Sequence, residues 1–407
     1  MKLLILTQYF PPEVGAPQNR LFELAVRLKE AGVDVTVLTA MPNYPRMEIF
    51  DGYRNKKYLY EEIEGLKIHR SSIYVSKSKS IINRLRNYFS FVYSSKKCGV
   101  NKIGYIDIIL CESPPLFLGY SALYLKRKKK AKLVFNVSDL WPESAEKLGV
   151  VTNKTMLRMA YKLEAKLYNN SELITGQTQG ICKSINERFP SKKTYWLPNG
   201  VDLNYYDPYN IVETNWREKN NISKNDFVFL YAGIIGLAQG LEVILLAAAL
   251  VKDKPNIKFV LLGNGHEKQK LLELKQKVDL SNVIFIDSIS KTEMPFVLKS
   301  VNATIIPLKK LDLFKGAIPS KIFESLAMEV PIILGVDGEA RELFIEKGKC
   351  GLYFEPENVN ELVKRVIEIS SDPDLAKKLG TNGRNYVKEY FNRNTIAIKL
   401  LEQLKQL

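Results

Sequence analysis

The densest set of groups able to do chemistry lies in residues 306–335, IPLKKLDLFKGAIPSKIFESLAMEVPIILG. The pattern reads as strand, lysine-bearing loop, helix and strand. Ser320 is placed to cap the helix, with Lys321 in its first turn and Glu324 one turn on. An anion at that helix start would meet unpaired amides, the helix dipole and the Lys321 ammonium together. A carboxylate beside an anion site suits hydroxyl recognition, as of a ribose diol. The structural alternative is a capping box, but the strict third position after Ser320 is Phe323.

Three glycine-bearing turns follow apolar runs and open helical periods. The first, QYFPPEVGAPQNR, offers Gly15 for close backbone approach, with Gln18, Asn19 and Arg20 as added donors. The second, YAGIIGLAQGLE, spaces Gly233, Gly236 and Gly240 as neither a dinucleotide fingerprint nor a P-loop. The third holds Gly263, Asn264 and Gly265, with His266 as a solvated helix-start residue. Together they say more than each alone. In FNVSDLWPESAEKLG, Asp139 falls just past the carboxyl end of a strand, where a carboxylate can orient a hydroxyl or take its proton. The alternative is a cap for the short helix after Pro142.

Short, β-branched apolar runs alternate with helix-period segments. Strands are expected at residues 3–6, 33–38, 106–110, 133–137, 173–175 and 195–197, and again at 228–231, 259–262, 283–286, 304–307 and 332–334. Nearly continuous apolar strands are buried on both faces, hence parallel sheets clothed by helices. LPNGVDLNYYDPYN separates the two series. Its Pro, Gly, Asn and Asp content suits a hinge, giving an α/β protein with domains 1–207 and 208–389 and a last helix, about 390–407, able to pack back on the first. Two such sheets facing across a cleft bind ligands at the strands' carboxyl ends.

Lys+Arg 60 against Asp+Glu 44 leaves a net charge of +16, which points to polyphosphates, nucleic acid or an anionic membrane as partners. Cys98, Cys111, Cys182 and Cys350 form no CxxC pair, and two histidines exclude any site needing three. The opening MKLLIL reads as a buried strand rather than a secretory leader, and no apolar run approaches the ~20 residues of a spanning helix. Residues 76–102 set Arg84, Arg86, Lys96 and Lys97 around Tyr88, Phe89, Phe91 and Tyr93, and a basic run covers residues 126–130. Basic heads flanking an apolar-aromatic face are the composition of an interfacial anchor. The alternative is a core helix plus a solvated charge run, and no nucleic-acid motif accompanies the charge. Asp372-Pro373-Asp374, the clearest metal-type match, reads as a helix cap, so no catalytic metal or other cofactor is expected.

The motifs GAPQNR, SDLWPES, PNGVD, GNG and PSKIFESLAMEVPIILG, in that order, resemble the retaining GT-B glycosyltransferases of family 4. With TQYFPPEVGAPQNR and AMPNYP the chain most resembles the branch that builds bacterial O-antigen, capsule and exopolysaccharide units, including N-acetyl-fucosamine transferases. The resemblance implies two Rossmann-like domains and a UDP-sugar held mainly by the second. It places Gly263, Asn264, Gly265 and the turn at 286–288 around the base, Glu324 on the ribose, and Ser320, Lys321 and Gly236 at the diphosphate, with Gln239 also on the donor side. Gly15 lies on a loop closing over donor and acceptor. Departures from the family pattern are Gly316 in place of a glutamate, and Ile234 or Ile235 and Gln239 in place of an arginine and a lysine. Many members also carry a histidine in the Ser138-Asp139 region. Catalytic charge is then left to Lys321, Lys315 and Lys309. The expected activity is retaining transfer of an N-acetylated hexosamine, such as N-acetyl-L-fucosamine, from UDP to a polyprenyl-diphosphate-linked saccharide. That acceptor implies a cytoplasmic enzyme, peripheral on the inner face of the cell membrane. Alternatives are a UDP-sugar epimerase of the same architecture, or a non-catalytic membrane- or nucleic-acid-binding protein.

Overall fold

Leu3 and Ile5 pack into one apolar cluster and Leu4 and Leu6 into another, so the first strand is buried on both faces. A computed structural model describes every residue except Val14, Lys79, Leu148 and Val150, and of Ala16 only the backbone. The described chain divides into two units, Met1–Asn199 with Arg393–Leu407, and Gly200–Asn392.

The first unit holds β1 (Lys2–Leu6), β2 (Asp34–Ala40), β3 (Tyr58–Ile63), β4 (Leu66–Ser71), β5 (Ile108–Ser113), β6 (Lys132–Val137), β7 (Leu173–Gly176) and β8 (Thr194–Trp196). Their order is β3-β4-β2-β1-β5-β6-β7-β8, parallel throughout except for the β3–β4 pair. That hairpin was not expected from the sequence. β3 alternates half-buried and exposed residues instead of forming an apolar run, and its turn is Glu64-Gly65, with φ of 50° and 68°. Positive φ at both positions is the type I′ geometry that closes two-residue hairpins.

The second unit holds β9 (Phe227–Ala232), β10 (Ile257–Leu262), β11 (Val283–Ile286), β12 (Ala303–Pro307), β13 (Ile332–Gly335) and β14 (Gly351–Tyr353). All pair in parallel, in the order β11-β10-β9-β12-β13-β14. β14 has only three residues and gives no periodic signal.

The division falls at Asn199, ahead of the expected 207. Residues just past it bond within the second unit: Val201 N–H donates to Phe391 O at 2.9 Å, and Arg384 pairs with Asp207 at 2.8 Å. The last helix, Arg393–Lys405, lays Ile396, Leu400 and Leu404 into the cluster that holds Leu21, Leu24 and Leu28 of the helix Ala16–Glu30.

At the carboxyl edge of the first sheet, buried charges tie the loops together. Arg70 is fully buried; it pairs with Glu61 at 2.5 Å and donates to Ala40 O at 3.2 Å and to Pro11 O. Glu13, also buried, accepts from Asn43 N and Tyr44 N at 2.8 Å each and from Phe10 N at 3.0 Å. Burial raises its carboxyl above the usual range, against the three amides that lower it. This contact joins the segments QYFPPE and AMPNYP. Glu13→Ala leaves three backbone N–H groups unanswered and is expected to destabilise the fold by at least about 1–3 kcal/mol, read as a lower urea midpoint. A wild-type midpoint would show that water replaces the carboxylate at no cost.

Candidate functional site

The loops following β9 and β10 run backbone against backbone. Gly233 N–H donates to Leu262 O at 2.9 Å, Ile235 N–H to Asn264 O at 2.9 Å, and Glu267 N–H to Ile235 O at 3.2 Å. A Cβ at residue 263 would stand 1.8 Å from Gly233 O, and one at 265 would stand 2.1 Å from Ile235 O. Gly263 also has φ of 147°. These glycines are required by the seam between two loops.

The seam borders a cavity of about 460 Å³ at the carboxyl ends of β9, β10 and β12. Ligands of parallel α/β sheets bind at such edges. Of the eight residues expected on the donor side, six line it: Gln239, Gly263, Asn264, Ser320, Lys321 and Glu324. Ser288 lies on the wall as well. Gly236 lines a neighbouring pocket of about 180 Å³ together with Lys309, and Gly265 is absorbed by the seam. Gly236 and Gly265 thus stand beside this cavity, not on its wall.

Lys321 is the only cation among the described residues lining the cavity. Its Nζ sits 4.2 Å from the centroid of the Tyr231 ring, a cation–π contact. The ring is buried, and its hydroxyl donates to Ile234 O at 2.5 Å, which fixes it under the ammonium. Burial pushes Lys321 down to about 8, with the Glu324 carboxylate opposing the shift. The other two lysines proposed from sequence are elsewhere: Lys315 pairs with Asp312 at 2.8 Å, and Lys309 lines the neighbouring pockets. Ser320 does not cap. Its backbone is already in the right-handed helical region, at φ −59° and ψ −29°, and its side chain makes no cap hydrogen bond. The helix Lys321–Ala327 has seven residues, so few peptide dipoles add, and the ammonium is the main local positive charge. Tyr231 was not singled out in the sequence; its one signal is a hydroxyl-bearing ring inside an apolar strand.

In the first unit, Arg20 is buried and donates from Nη2 to Glu112 Oε1 at 2.8 Å and to Ser138 Oγ at 2.7 Å. Ser138 Oγ donates to Glu112, as does Asn136 Nδ2, and Thr175 Oγ1 donates to Asn136 Oδ1 at 2.6 Å. Glu112 centres this network and was missed, although a carboxylate inside the buried strand IILCES is a signal in itself. Gln18 is buried, while Asn19 is half-buried with its N–H on Gly15 O at 3.0 Å. Gly15 has φ of 177°, extended backbone open to any residue, so it is not placed there by conformation. Asp139 is exposed and accepts from Ser144 Oγ at 2.9 Å.

The basic-aromatic segment forms the helix Ile81–Lys102. Phe91 belongs to the core, which corrects the expected aromatic face. The exposed face runs Ile82, Arg86, Phe89, Tyr93 and Lys97, with Arg84 beside it. Lys96 is half-buried, its Nζ 5.6 Å from the Tyr124 ring centroid. In the 126–130 run, Lys126 pairs with Glu172 at 2.8 Å and Lys129 donates to Ile103 O and to Val100 O at 3.3 Å, closing a helix end. Asp372 caps the helix Pro373–Tyr390 by accepting from Leu375 N at 2.9 Å. Among the described residues no three His, Cys, Asp or Glu side chains group to hold a metal.

Two parallel α/β units with this strand order define a GT-B glycosyltransferase fold. Residues 18–205 match the family described as Glycosyltransferase Family 4, and residues 212–386 match the one described as Glycosyl transferases group 1. The chain belongs to the family 4 glycosyltransferases. It is 24% identical over 416 residues, 100% of both chains, to the Escherichia coli (strain K12) glycosyl transferase WcaI, named for colanic acid biosynthesis. Similar solved structures include sucrose-phosphate synthase from Thermosynechococcus elongatus, with TM-score 0.76 and 17% identity over 100% of this chain and 98% of that one. Another is Anabaena HepE in complex with UDP-glucose, with TM-score 0.72 and 16% identity over 100% of both chains.

Gly265→Ala drives a methyl into the Ile235 carbonyl, and overpacking against backbone costs about 1–3 kcal/mol. The expected result is a lower unfolding midpoint in urea; an unshifted one would show that the loops part freely.

Proposed function

We propose that this glycosyltransferase moves an N-acetylated hexosamine, such as N-acetyl-L-fucosamine, from UDP to a polyprenyl-diphosphate-linked saccharide, with retention, in the assembly of a bacterial surface polysaccharide. The observation that carries the proposal is a single partly desolvated ammonium, Lys321, fixed beside Glu324 on the wall of a cavity of about 460 Å³. That volume suits a nucleotide-sized ligand. UDP-glucose in HepE supports the donor class, and the name of WcaI supports a polysaccharide pathway. A family match does not favour the epimerase reading.

In this mechanism Glu324 accepts hydrogen bonds from the ribose hydroxyls, with Gly263, Asn264 and Ser288 around the base. Negative charge grows on the departing diphosphate as the glycosidic C–O bond breaks. Lys321, with Ser320 and Gln239 as added donors, stabilises that charge more in the transition state than in the ground state. It supplies what a divalent metal supplies elsewhere, so the reaction is proposed to be metal-independent. Retention places the acceptor oxygen on the departing face, and its proton can pass to the leaving phosphate. Asp139 is proposed to orient the acceptor hydroxyl, and Gly15, Gln18, Asn19 and Arg20 to form the acceptor-side loop.

Lys321→Ala is expected to lower kcat about 10²–10³-fold, more than it raises KM for the donor, with activity persisting in EDTA. Strict divalent dependence would overturn the leaving-group assignment. With burial lowering the Lys321 ammonium to about 8 in the free enzyme, UDP affinity is expected to change little between neutral pH and that value. Above it, affinity should fall as the charge is lost and level off near that of Lys321→Ala, which should show no such fall.

The acceptor implies work at a cytoplasmic membrane face. No helix among the described residues is long and apolar enough to cross a membrane. The stripe Ile82, Arg86, Phe89, Tyr93 and Lys97 recurs every three or four residues, so it forms one helix face. Docking of that face on anionic lipid is proposed, at about 1 kcal/mol per basic residue plus the inserted rings. The expected outcome is salt-sensitive binding to anionic vesicles, lost when Arg84, Arg86, Lys96 and Lys97 become Glu. No binding of the wild type at low salt would refute docking.

A further inference from the structure

Whatever holds the Lys321 ammonium decides where the described wall of the cavity is positive, since no other cation lines it. A lysine carries its charge on a flexible four-carbon stem, and ordering that stem on binding costs affinity. Among the described residues no oxygen accepts a hydrogen bond from Nζ, so its N–H groups are left for a ligand. Two neighbours define its place. The Tyr231 ring lies 4.2 Å from Nζ, measured to the ring centroid. Gly233 leaves room at its side: a Cβ there would stand 3.1 Å from Nζ and 3.4 Å from Cε.

The ring is the fixed partner of the two side chains. Tyr231 lies on β9, flanked by β10 and β12 in the sheet and in register with Leu261. It is buried in the cluster that holds Phe229, Leu261 and Ile305. Burial pushes its hydroxyl well above the ordinary value, so it stays protonated and keeps its bond to Ile234 O. A rigid strand thus presents an electron-rich face to a flexible cation, and that attraction draws the ammonium to one spot.

We infer that Tyr231 is a positioning residue for the donor's diphosphate: its ring holds the Lys321 ammonium in place on the cavity wall, and nucleoside diphosphate binding depends on the ring through Lys321. The inference rests on the proposed placing of Lys321 at the diphosphate. It goes beyond that reading by assigning the placement to an aromatic group that acts only through the lysine.

The test is ligand-detected NMR titration of the full chain at neutral pH with UDP, GDP and, as the phosphate-free control, uridine. Tyr231→Phe keeps the ring and is expected to bind UDP within about threefold of the wild type. Tyr231→Leu removes the ring and should weaken UDP about tenfold while uridine binding is unchanged. Leucine also opens space in the core, so the ring is varied at constant shape as well. Replacing Tyr231 by 3,4,5-trifluorophenylalanine, which draws electrons from the ring face, should weaken UDP about tenfold relative to Tyr231→Phe. In a Lys321→Ala background the three replacements should bind UDP alike, because a residue acting through another adds nothing once that one is gone. UDP affinity that ignores fluorination, a loss shared equally by uridine, or a loss that persists without Lys321 would overturn the positioning role. Wild-type UDP affinity in Lys321→Ala alone would overturn the placing of Lys321 at the diphosphate, and this inference with it. If the wild type takes GDP and not UDP, the UDP reading falls and the same comparisons made with GDP decide the ring. Binding of neither nucleotide would overturn both.

Discussion

The contact on which the candidate site depends is the seam between the loops after β9 and β10. Peptide bonds rarely approach side by side outside a sheet, because Cβ atoms keep them apart. Here hydrogen at residues 263 and 265 lets the Gly233 and Ile235 carbonyls come within what would be bonding distance of a Cβ. The consequences run outward. The seam holds the backbone at Ile234, whose carbonyl accepts the Tyr231 hydroxyl. The bonded ring then forms the surface over which Lys321 rests. A glycine loop therefore shapes this cavity indirectly: it fixes a tyrosine, and the tyrosine fixes a cation.

The value of that cation lies in its surroundings. Most of the ion pairs among the described residues are on the surface, such as Lys67–Asp34 and Lys315–Asp312, where water and side-chain entropy leave little net gain. Lys321 is held where burial already lowers its pKa to about 8, so its charge is poorly solvated before any ligand arrives. An anion that binds there replaces missing solvation, and the interaction is correspondingly strong. The Glu324 carboxylate opposes that shift, which favours the protonated side chain.

The fold was legible because the strands advertise themselves. LLIL, VTVL and FVLL are apolar on both faces, which only a parallel sheet covered by helices accommodates. What escaped notice lacked that signature: the alternating hairpin strand at Tyr58–Ile63, the three-residue β14, and the exact division at Asn199. The site was legible where residue type and turn coincide, as at Lys321, Glu324 and Asn264. It was illegible where the role depends on partners distant in sequence. Glu112 meets Arg20 across 92 positions, and Ser320 lost its expected cap because its own backbone turns helical one residue early. No local pattern carries either fact.

The surplus of positive charge is a separate matter from the site. Of 60 Lys and Arg side chains, Lys321 is the one that reaches the described wall of the cavity, while exposed ones gather along the helix Ile81–Lys102 and beside residues 126–130. A surface excess of this kind is screened within about 8–10 Å at physiological ionic strength. It can draw the protein toward an anionic surface, but it cannot set the geometry of a leaving diphosphate. Steering and leaving-group stabilisation thus call on two different electrostatic environments. The chain keeps them apart by assigning each to a different kind of element: an exposed helix face and a tyrosine-backed helix start.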